Sequence, residues 1–135
     1  MINKSAQVLA YIGDAVLSLQ VREYLVNKGI SKPQRLLDES IKFVSAVAQA
    51  EFIKEVINQE SLTQQELAIF RRAYNYKFHS KAKNADINSY KYSTGLEALW
   101  GYWYLENQHE RLEQMWDKYK TFQKEKYETI HLLQE

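Results

Sequence analysis

Apolar residues recur at every third or fourth position along most of this chain, which is the spacing of amphipathic α-helices. The first such segment covers residues 5–28 and should end at Gly29, because glycine readily adopts the backbone conformation that ends a helix. A second helix should begin near Ser31 and Pro33, since serine caps helices and proline suits their first turn. Its apolar positions continue at helical spacing to Val44. The first third of the chain therefore predicts two helices joined by a short turn.

Capping residues predict further helices downstream. Ser45 is a suitable cap for a helix over Ala46–Asn58, and Thr63 with Glu66 forms a capping box that opens another helix. Strand-like alternation is nowhere sustained, and four glycines and one proline leave few turns between strands. We therefore predict an all-α fold. The rest of the chain should be a loop over residues 78–92 and helices over residues 94–105 and 110–133.

The composition is that of one globular domain. With 135 residues, of which 45% are hydrophobic and 26% charged, the chain is long enough to enclose a core as a single domain over residues 1–135. The absence of cysteine excludes disulfides, thiolate metal sites and cysteine nucleophiles. No apolar run is long enough to span a membrane, and the first residues do not resemble a signal peptide. We expect a cytoplasmic protein with no membrane partner.

Two carboxylates stand in the most apolar segments of the chain. Asp14 is the only charged residue among residues 6–21, and Glu97 is the only one among residues 93–105. Helical spacing places each acid beside mostly apolar neighbours, and no Lys or Arg lies within a helical turn of either one. We therefore expect neither acid to lie on a solvated face.

Close packing of the two segments would bring these acids to one site. Gly13 and Gly101 would permit such packing next to Asp14 and Glu97. Two carboxylates at one site repel each other, and a divalent cation relieves the repulsion. Oxygen ligands without a Cys or His cluster favour Mg²⁺, or Mn²⁺ in its place, over zinc. The structural alternatives are a buried, hydrogen-bonded Asp14 and a capping box formed by Thr94 and Glu97.

The net charge of +1 conceals a strongly basic strip. Residues 71–91 contain six Lys and Arg residues against one acid, interleaved with tyrosine and asparagine. Such side chains suit the phosphates and sugars of RNA, although a solvated lysine-rich loop is the alternative. Because the strip leads directly towards Glu97, RNA bound there would place its backbone at the metal site. The RNA-binding candidates are Arg71, Arg72, Asn75, Lys77, Lys81, Lys83 and Lys91.

Two motifs in these segments resemble the signatures of the ribonuclease III family. Residues 11–17 (YIGDAVL) resemble the first signature, whose aspartate binds metal. Residues 96–101 (LEALWG) resemble the second, whose glutamate bridges metal ions. Residues 43–50 and 90–94 are similar to the Mini-ribonuclease III branch, which consists of the catalytic domain without a double-stranded-RNA-binding domain. The resemblance spans nearly the whole chain.

This resemblance implies a helical homodimer in which Asp14 and Glu97 bind Mg²⁺ and each subunit cleaves one strand of double-stranded RNA. It implies 5′-phosphate products and, as substrate, the ends of the precursor of large-subunit (23S) ribosomal RNA. Full-length ribonuclease III enzymes have further acids where this chain has Gln7, Ala10 and Thr94, so its metal site has fewer carboxylates. A non-catalytic relative that binds duplex RNA and a helical dimerisation module are the alternative functions.

Overall fold

The computed structural model describes residues 4–76 and 86–134 of the chain. Within these ranges the backbone forms six α-helices and no strand, which confirms the predicted fold class. The central helix is α5, which packs against α1, α3, α4 and α6. None of the described helices is long and apolar enough to cross a membrane. In chain order the helices are α1 (Ala6–Asn27), α2 (Pro33–Val44), α3 (Ala46–Asn58), α4 (Gln64–Tyr74), α5 (Ile87–Leu105) and α6 (His109–Gln134).

Side-chain caps open three of these helices, and the caps at Ser45 and Thr63 are those that the sequence predicts. The hydroxyls of Ser5 and Ser45 each accept a hydrogen bond of 3.2 Å from the backbone N–H three residues further on. Thr63 and Glu66 form the reciprocal capping box at the start of α4. Because each cap satisfies N–H groups that have no partner inside the helix, these three starts are set by local sequence.

The start of α2 differs from the prediction in its cap. Pro33 occupies the first turn as expected, but the cap position belongs to Lys32, whose side chain makes no capping hydrogen bond. Ser31 lies one residue too early, so its predicted capping role is wrong. Proline opens a helix without a side-chain cap because its φ angle is preset and it has no N–H to satisfy. Gly29, with a φ of +92°, turns the chain between α1 and α2.

The predicted loop over residues 78–92 is wrong in its last part, because α5 already begins at Ile87. Asp86 caps this helix through its side chain. The ring of Tyr92 then packs against Phe70 and Tyr74 of α4, with ring centroids 5.8 and 4.9 Å apart. These aromatic contacts between helices stabilise the first turns of α5, which lack a helical pattern of their own.

The earlier start of α5 places Thr94 inside the helix rather than at its end. The Thr94 hydroxyl donates a hydrogen bond of 2.9 Å to the Tyr90 carbonyl oxygen, one turn back. The alternative in which Thr94 and Glu97 form a capping box is therefore wrong. Glu97 therefore does not cap the helix, and its side chain lies between α5 and the neighbouring helices.

The backbones of α1 and α5 are in direct contact at two glycines. A methyl group on Gly13 would lie 1.7 Å from the Glu97 carbonyl oxygen, and one on Gly101 would lie 1.9 Å from the Leu9 carbonyl oxygen. Neither position has room for any side chain. The prediction that these glycines allow close packing is confirmed.

Glu66 of α4 is a buried carboxylate with several hydrogen-bond donors. The Arg111 guanidinium donates to its two oxygens at 2.7 and 2.9 Å, and the Trp103 indole donates at 2.8 Å. Burial alone would raise the pKa of Glu66, but these donors and the Thr63 N–H together lower it. The ionised carboxylate therefore ties α4, α5 and α6 together.

Replacing Gly101 with alanine should destabilise the protein by about 2–3 kcal/mol, because the added methyl group must push α1 away from α5. The direction is informative, since alanine normally stabilises a helix relative to glycine. Urea unfolding measures the loss. Ala68→Ser, at an exposed position of α4, is the control and should change the free energy of unfolding by less than about 0.5 kcal/mol. An unchanged or higher stability of Gly101→Ala would contradict the close α1–α5 contact.

Candidate active site

A pocket of about 270 Å³ opens between α1, α4 and α5 and contains both acids selected from the sequence. Asp14 and Tyr11 line it from α1, Glu97 lines it from α5, and Ala73 lines it from α4. The structure thus brings together two carboxylates that lie far apart in the chain, as the sequence analysis predicts.

The contact at Gly13 explains why the two acids meet. The Glu97 carbonyl oxygen occupies the space in which a side chain of Gly13 would lie. Asp14 follows Gly13 directly, so its side chain is attached next to the point at which the two backbones are in contact. The position of the acid pair is therefore a consequence of helix packing rather than of a flexible loop.

The Glu97 carboxyl group is in an environment that disfavours its charge. The pKa of Glu97 is raised to about 8, first by burial and then by Asp14, which acts through charge repulsion and through a hydrogen bond to the protonated form. The amide of Gln49 acts in the opposite direction, because it donates a hydrogen bond to the carboxylate. Without a cation at the site, Glu97 therefore keeps its proton at neutral pH.

Asp14 is exposed, which corrects the expectation that it lies on a poorly solvated face. The neighbouring Tyr11 ring is also 80% exposed, and Ala15 is exposed. The apolar residues around Asp14 do not bury it, because this side of α1 is left uncovered within the described chain. The structural alternative of a buried, hydrogen-bonded Asp14 is wrong.

Comparison with known proteins places the chain in a family. Residues 7–108 match the sequence model of the ribonuclease III domain. The chain is 45% identical over 107 residues to a Mini-ribonuclease 3 from Streptococcus pneumoniae, which covers 79% of this chain and 84% of that protein. The chain belongs to the ribonuclease III family, in its Mini-ribonuclease 3 group. The resemblance found from the two motifs is confirmed.

Further relatives agree with the assignment to the ribonuclease III family. A Mini-ribonuclease 3 from Staphylococcus aureus is 45% identical over 118 residues, covering 87% of this chain and 88% of that protein. A crystal structure of a protein from Fusobacterium nucleatum is 30% identical and superposes with a TM-score of 0.72, covering 84% of this chain and 88% of that one. As a member of this family the protein is an endoribonuclease.

The side chains of the pocket fit a hard divalent cation such as Mg²⁺. Mg²⁺ prefers oxygen ligands and commonly uses one or two carboxylates, with water and substrate phosphates in its other positions. Asp14 and Glu97 provide two such carboxylates, and their mutual repulsion is the kind that a cation relieves. Residues 4–76 and 86–134 contain no group of three or more His, Asp or Glu side chains suited to a metal. The remaining ligands of an ion held here would be water and RNA.

The same pocket contains the positions at which ribonuclease III enzymes, by the resemblance, carry further acids. Gln7, Ala10 and Thr94 all line it. The Gln7 amide donates a hydrogen bond to the Tyr76 hydroxyl, and Thr94 is bonded to the backbone of its own helix. The three positions are therefore part of the pocket in this protein, but they carry no charge.

Gln49 is the residue of the site that the sequence analysis missed. It is only 1% exposed, and its amide nitrogen donates to the Val44 carbonyl oxygen at 3.2 Å and to Oε2 of Glu97 at 3.5 Å. A signal was present in the sequence, because Gln49 shares a helical face with Ile53 and Val56. A polar residue on such an apolar face needs a buried partner.

The last turn of α4 brings the first part of the basic strip to the edge of the pocket. Arg71 and Arg72 in this turn and Asn75 just after it are exposed, while Ala73 and Tyr76 line the pocket. These three predicted RNA-binding residues are therefore sequence neighbours of residues that line the pocket.

The second part of the strip is only partly described. Lys91 lies on α5 rather than in a loop, and its ammonium group is 4.5 Å from the centre of the Tyr74 ring. This contact leaves Lys91 partly buried, so less of its side chain faces solvent than the sequence suggests. Lys77, Lys81 and Lys83 lie outside the described residues.

The metal-free protein should lose stability as the pH rises from about 5 to about 8. In this range folded Glu97 keeps a proton that the unfolded chain releases near its ordinary value of 4.5, so a higher pH favours unfolding. Glu97→Gln should remove this dependence and be more stable than the wild type at pH 8. Urea unfolding in the presence of a chelator, at each pH, measures the difference, whose slope stays below about 1.4 kcal/mol per pH unit.

Glu113→Gln on α6 is the matched control for this titration, because Glu113 is exposed and lies outside the pocket. Its stability should follow the wild-type pH dependence. If Glu97→Gln and the wild type change in parallel between pH 5 and pH 8, the description of Glu97 as a protonated, buried acid is wrong.

Proposed function

We propose that the protein is a Mg²⁺-dependent endoribonuclease that cleaves double-stranded RNA, with Asp14 and Glu97 as its metal ligands and catalytic residues. One observation carries this proposal: α1 and α5 hold these two carboxylates together in one pocket that opens to solvent. Mn²⁺, which has similar ligand preferences, is expected to replace Mg²⁺. In this proposal residues 1–135 form a single catalytic domain.

Asp14 and Glu97 would hold the cation, and the basic strip would hold the phosphates of the RNA beside it. Asp14 and Glu97 present a fixed pair of acceptors because their helices are in backbone contact. When bound, Mg²⁺ supplies activation of a water nucleophile and stabilisation of the departing 3′ oxygen. Water attacks the phosphorus, and the bond to the 3′ oxygen breaks. The products are a 5′ phosphate and a 3′ hydroxyl. The attacking water gives up a proton, and the departing 3′ oxygen takes up a proton, directly or through solvent.

The natural substrate in this proposal is the precursor of 23S ribosomal RNA, matured at its 5′ and 3′ ends in the cytoplasm. The resemblance to the Mini branch of the family supports this choice. Incubation of the protein with a duplex stem from such a precursor, with and without Mg²⁺, tests the substrate. Mapping the ends of the products tests the chemistry of the cut.

Asp14→Asn should reduce cleavage of duplex RNA by roughly a hundredfold or more, because the amide removes one of the two charges that hold the cation. The variant should remain folded and bind RNA, since Asp14 is exposed and supports no core contact. Asp117→Asn, an exposed position on α6, is the matched control and should cleave at the wild-type rate. Wild-type activity in purified Asp14→Asn would overturn the assignment of the site.

Binding of the duplex is proposed to depend on the basic strip. Arg71, Arg72 and Asn75 stand exposed beside the pocket, and the Arg72 guanidinium donates to the Lys4 carbonyl oxygen at 3.0 Å. Arg72 therefore also ties the start of the chain to α4, whereas Arg71 makes a cleaner test of phosphate binding. We propose the same role for Lys77, Lys81, Lys83 and Lys91.

Arg71→Gln, in the Asp14→Asn background that prevents cleavage, should weaken duplex RNA binding and reduce the slope of log affinity against log salt by about one. The physical reason is that one fewer phosphate is neutralised and fewer counterions are released. Titrations at several salt concentrations measure the slope. Arg35→Gln, exposed on α2, is the control and should leave both quantities unchanged. Equal effects of the two variants would argue against a local RNA-binding strip.

We further propose that the protein is a homodimer formed through the uncovered face of α1. Val8, Tyr11 and Leu19 are exposed by 44%, 80% and 59%, and with Ala15 they recur at helical spacing to form one apolar stripe. Contiguous exposed apolar surface favours association. Asp14 borders the stripe, so a dimer formed here would place its two pockets near the same face, as cleavage of both strands requires.

Leu19→Asp should convert the dimer into monomers, because it places a charge in the apolar stripe. Sedimentation or light scattering measures the mass. Leu133→Asp is the control, since Leu133 is 82% exposed on α6, away from the stripe. A Leu19→Asp protein that stays dimeric would show that the stripe is not the interface.

The alternative of a non-catalytic relative that binds duplex RNA does not agree with the assignment of the chain to a family of endoribonucleases. The neutral residues Gln7, Ala10 and Thr94 in the pocket were its support, because they leave the cation only two carboxylates. It would require salt-dependent RNA binding without any product in Mg²⁺ or Mn²⁺. The alternative of a helical dimerisation module without an RNA role disagrees with the same assignment.

A further inference from the structure

The Glu97 carboxylate is contacted by a buried amide from a different helix. Gln49 belongs to the first turn of α3, and its amide nitrogen lies 3.5 Å from Oε2 of Glu97. This distance is at the long end of the range for a hydrogen bond. It reaches Glu97 from outside the pocket, because Gln49 is not among the residues that line it.

The orientation of the Gln49 amide is fixed by two acceptors. One N–H donates to the Val44 carbonyl oxygen at 3.2 Å, and the other faces the Glu97 carboxylate. Turning the amide over would place its oxygen against both acceptors. Val44 is the last residue of α2, and Ser45 caps α3 directly after it. This rigid junction between two helices therefore directs the donor towards Glu97.

The same orientation leaves the Gln49 oxygen without a partner within the described residues, although it is fully buried. A buried acceptor without a donor costs about 1–3 kcal/mol. An apolar side chain would avoid this cost on the apolar face that Gln49 shares with Ile53 and Val56. Stability alone therefore does not account for an amide at this position, and residues of this kind are typical of functional sites.

We propose that Gln49 is a positioning residue for the metal site, holding Oε2 of Glu97 so that the carboxylate presents its other oxygen to the cation. The inference rests on the proposed function, because it assumes that Glu97 binds a divalent cation. Groups that hydrogen-bond to a metal ligand typically change metal affinity or activity by 10–100-fold when they are removed.

The test compares two buried glutamines that differ in their distance from the pocket. Gln49→Met removes the amide at nearly constant volume, and Gln123→Met is the matched control. Gln123 is 2% exposed, donates to the backbone carbonyl oxygen of Lys42, and also has a buried, unpartnered side-chain oxygen. It lies on α6, outside the pocket that holds the acids. The structural cost of losing a buried amide is therefore similar in both variants.

Four quantities are measured on the full chain: the Mn²⁺ dissociation constant without RNA, the affinity for duplex RNA, the single-turnover rate at saturating duplex RNA, and the melting temperature in chelator. Gln49→Met should weaken Mn²⁺ binding by about tenfold or more and lower the rate, while RNA affinity changes by less than about twofold. Gln123→Met should bind Mn²⁺ as the wild type does. Both variants should melt at similar temperatures.

Three outcomes would overturn the proposal. The first is Mn²⁺ binding by Gln49→Met at the wild-type affinity, and the second is an equal loss of Mn²⁺ binding in Gln123→Met. The third is that neither Gln49→Met nor Gln49→Leu folds while Gln123→Met does, which would assign Gln49 a structural role. The Asp14→Asn protein separates these results from a failure of the proposed function. If the wild type binds Mn²⁺ no better than Asp14→Asn, the metal site itself is wrong.

Discussion

The backbone contact between α1 and α5 determines where every group of the pocket lies. At Gly13 and Gly101 each helix touches a carbonyl oxygen of the other, at a distance that no side chain permits. Helices that pack through larger residues are 8–10 Å apart, and each additional atom at this contact would separate them. The two carboxylates meet because they are attached to backbones that are already in contact. Because the two acids cannot move apart, their repulsion is relieved by the proton that Glu97 keeps or by a bound cation.

The pKa values of Glu66 and Glu97 are shifted in opposite directions. Glu66 receives donors from Arg111, Trp103 and the Thr63 backbone, so its pKa is lowered and its charge is retained. Burial and the neighbouring Asp14 carboxylate raise the pKa of Glu97 to about 8, and only one distant amide opposes them. Both acids are near the central helix, so their difference comes from their partners. An acid left with a like charge in a pocket is typical of a functional site, whereas an acid with complete partners is typical of a structural one.

The outer face of α1 shows why an apolar pattern is an incomplete guide to burial. Periodicity identifies which residues share a face, but it does not say whether another element covers that face. For Val8, Tyr11 and Leu19 no described helix does, and Asp14 beside them is exposed as a result. The segment around Glu97 is as apolar in sequence as the segment around Asp14, yet it lies in the centre of the fold. The expectation of poor solvation is therefore met for one acid of the pair and not for the other.

The sequence by itself determined the features that depend on neighbours within one helical turn. These are the helical spacing, the caps at Ser5, Ser45 and Thr63, and the two motifs that carry Asp14 and Glu97. The first turns of α5, the protonation of Glu97 and the approach of Gln49 were decided by the tertiary structure. Each depends on groups from another helix: the aromatic rings of α4, the carboxylate of α1 and the amide of α3. The local sequence pattern reflects interactions within one helical turn. The charge state and the partners of a side chain depend instead on a dielectric environment and on contacts that exist only after the helices have packed.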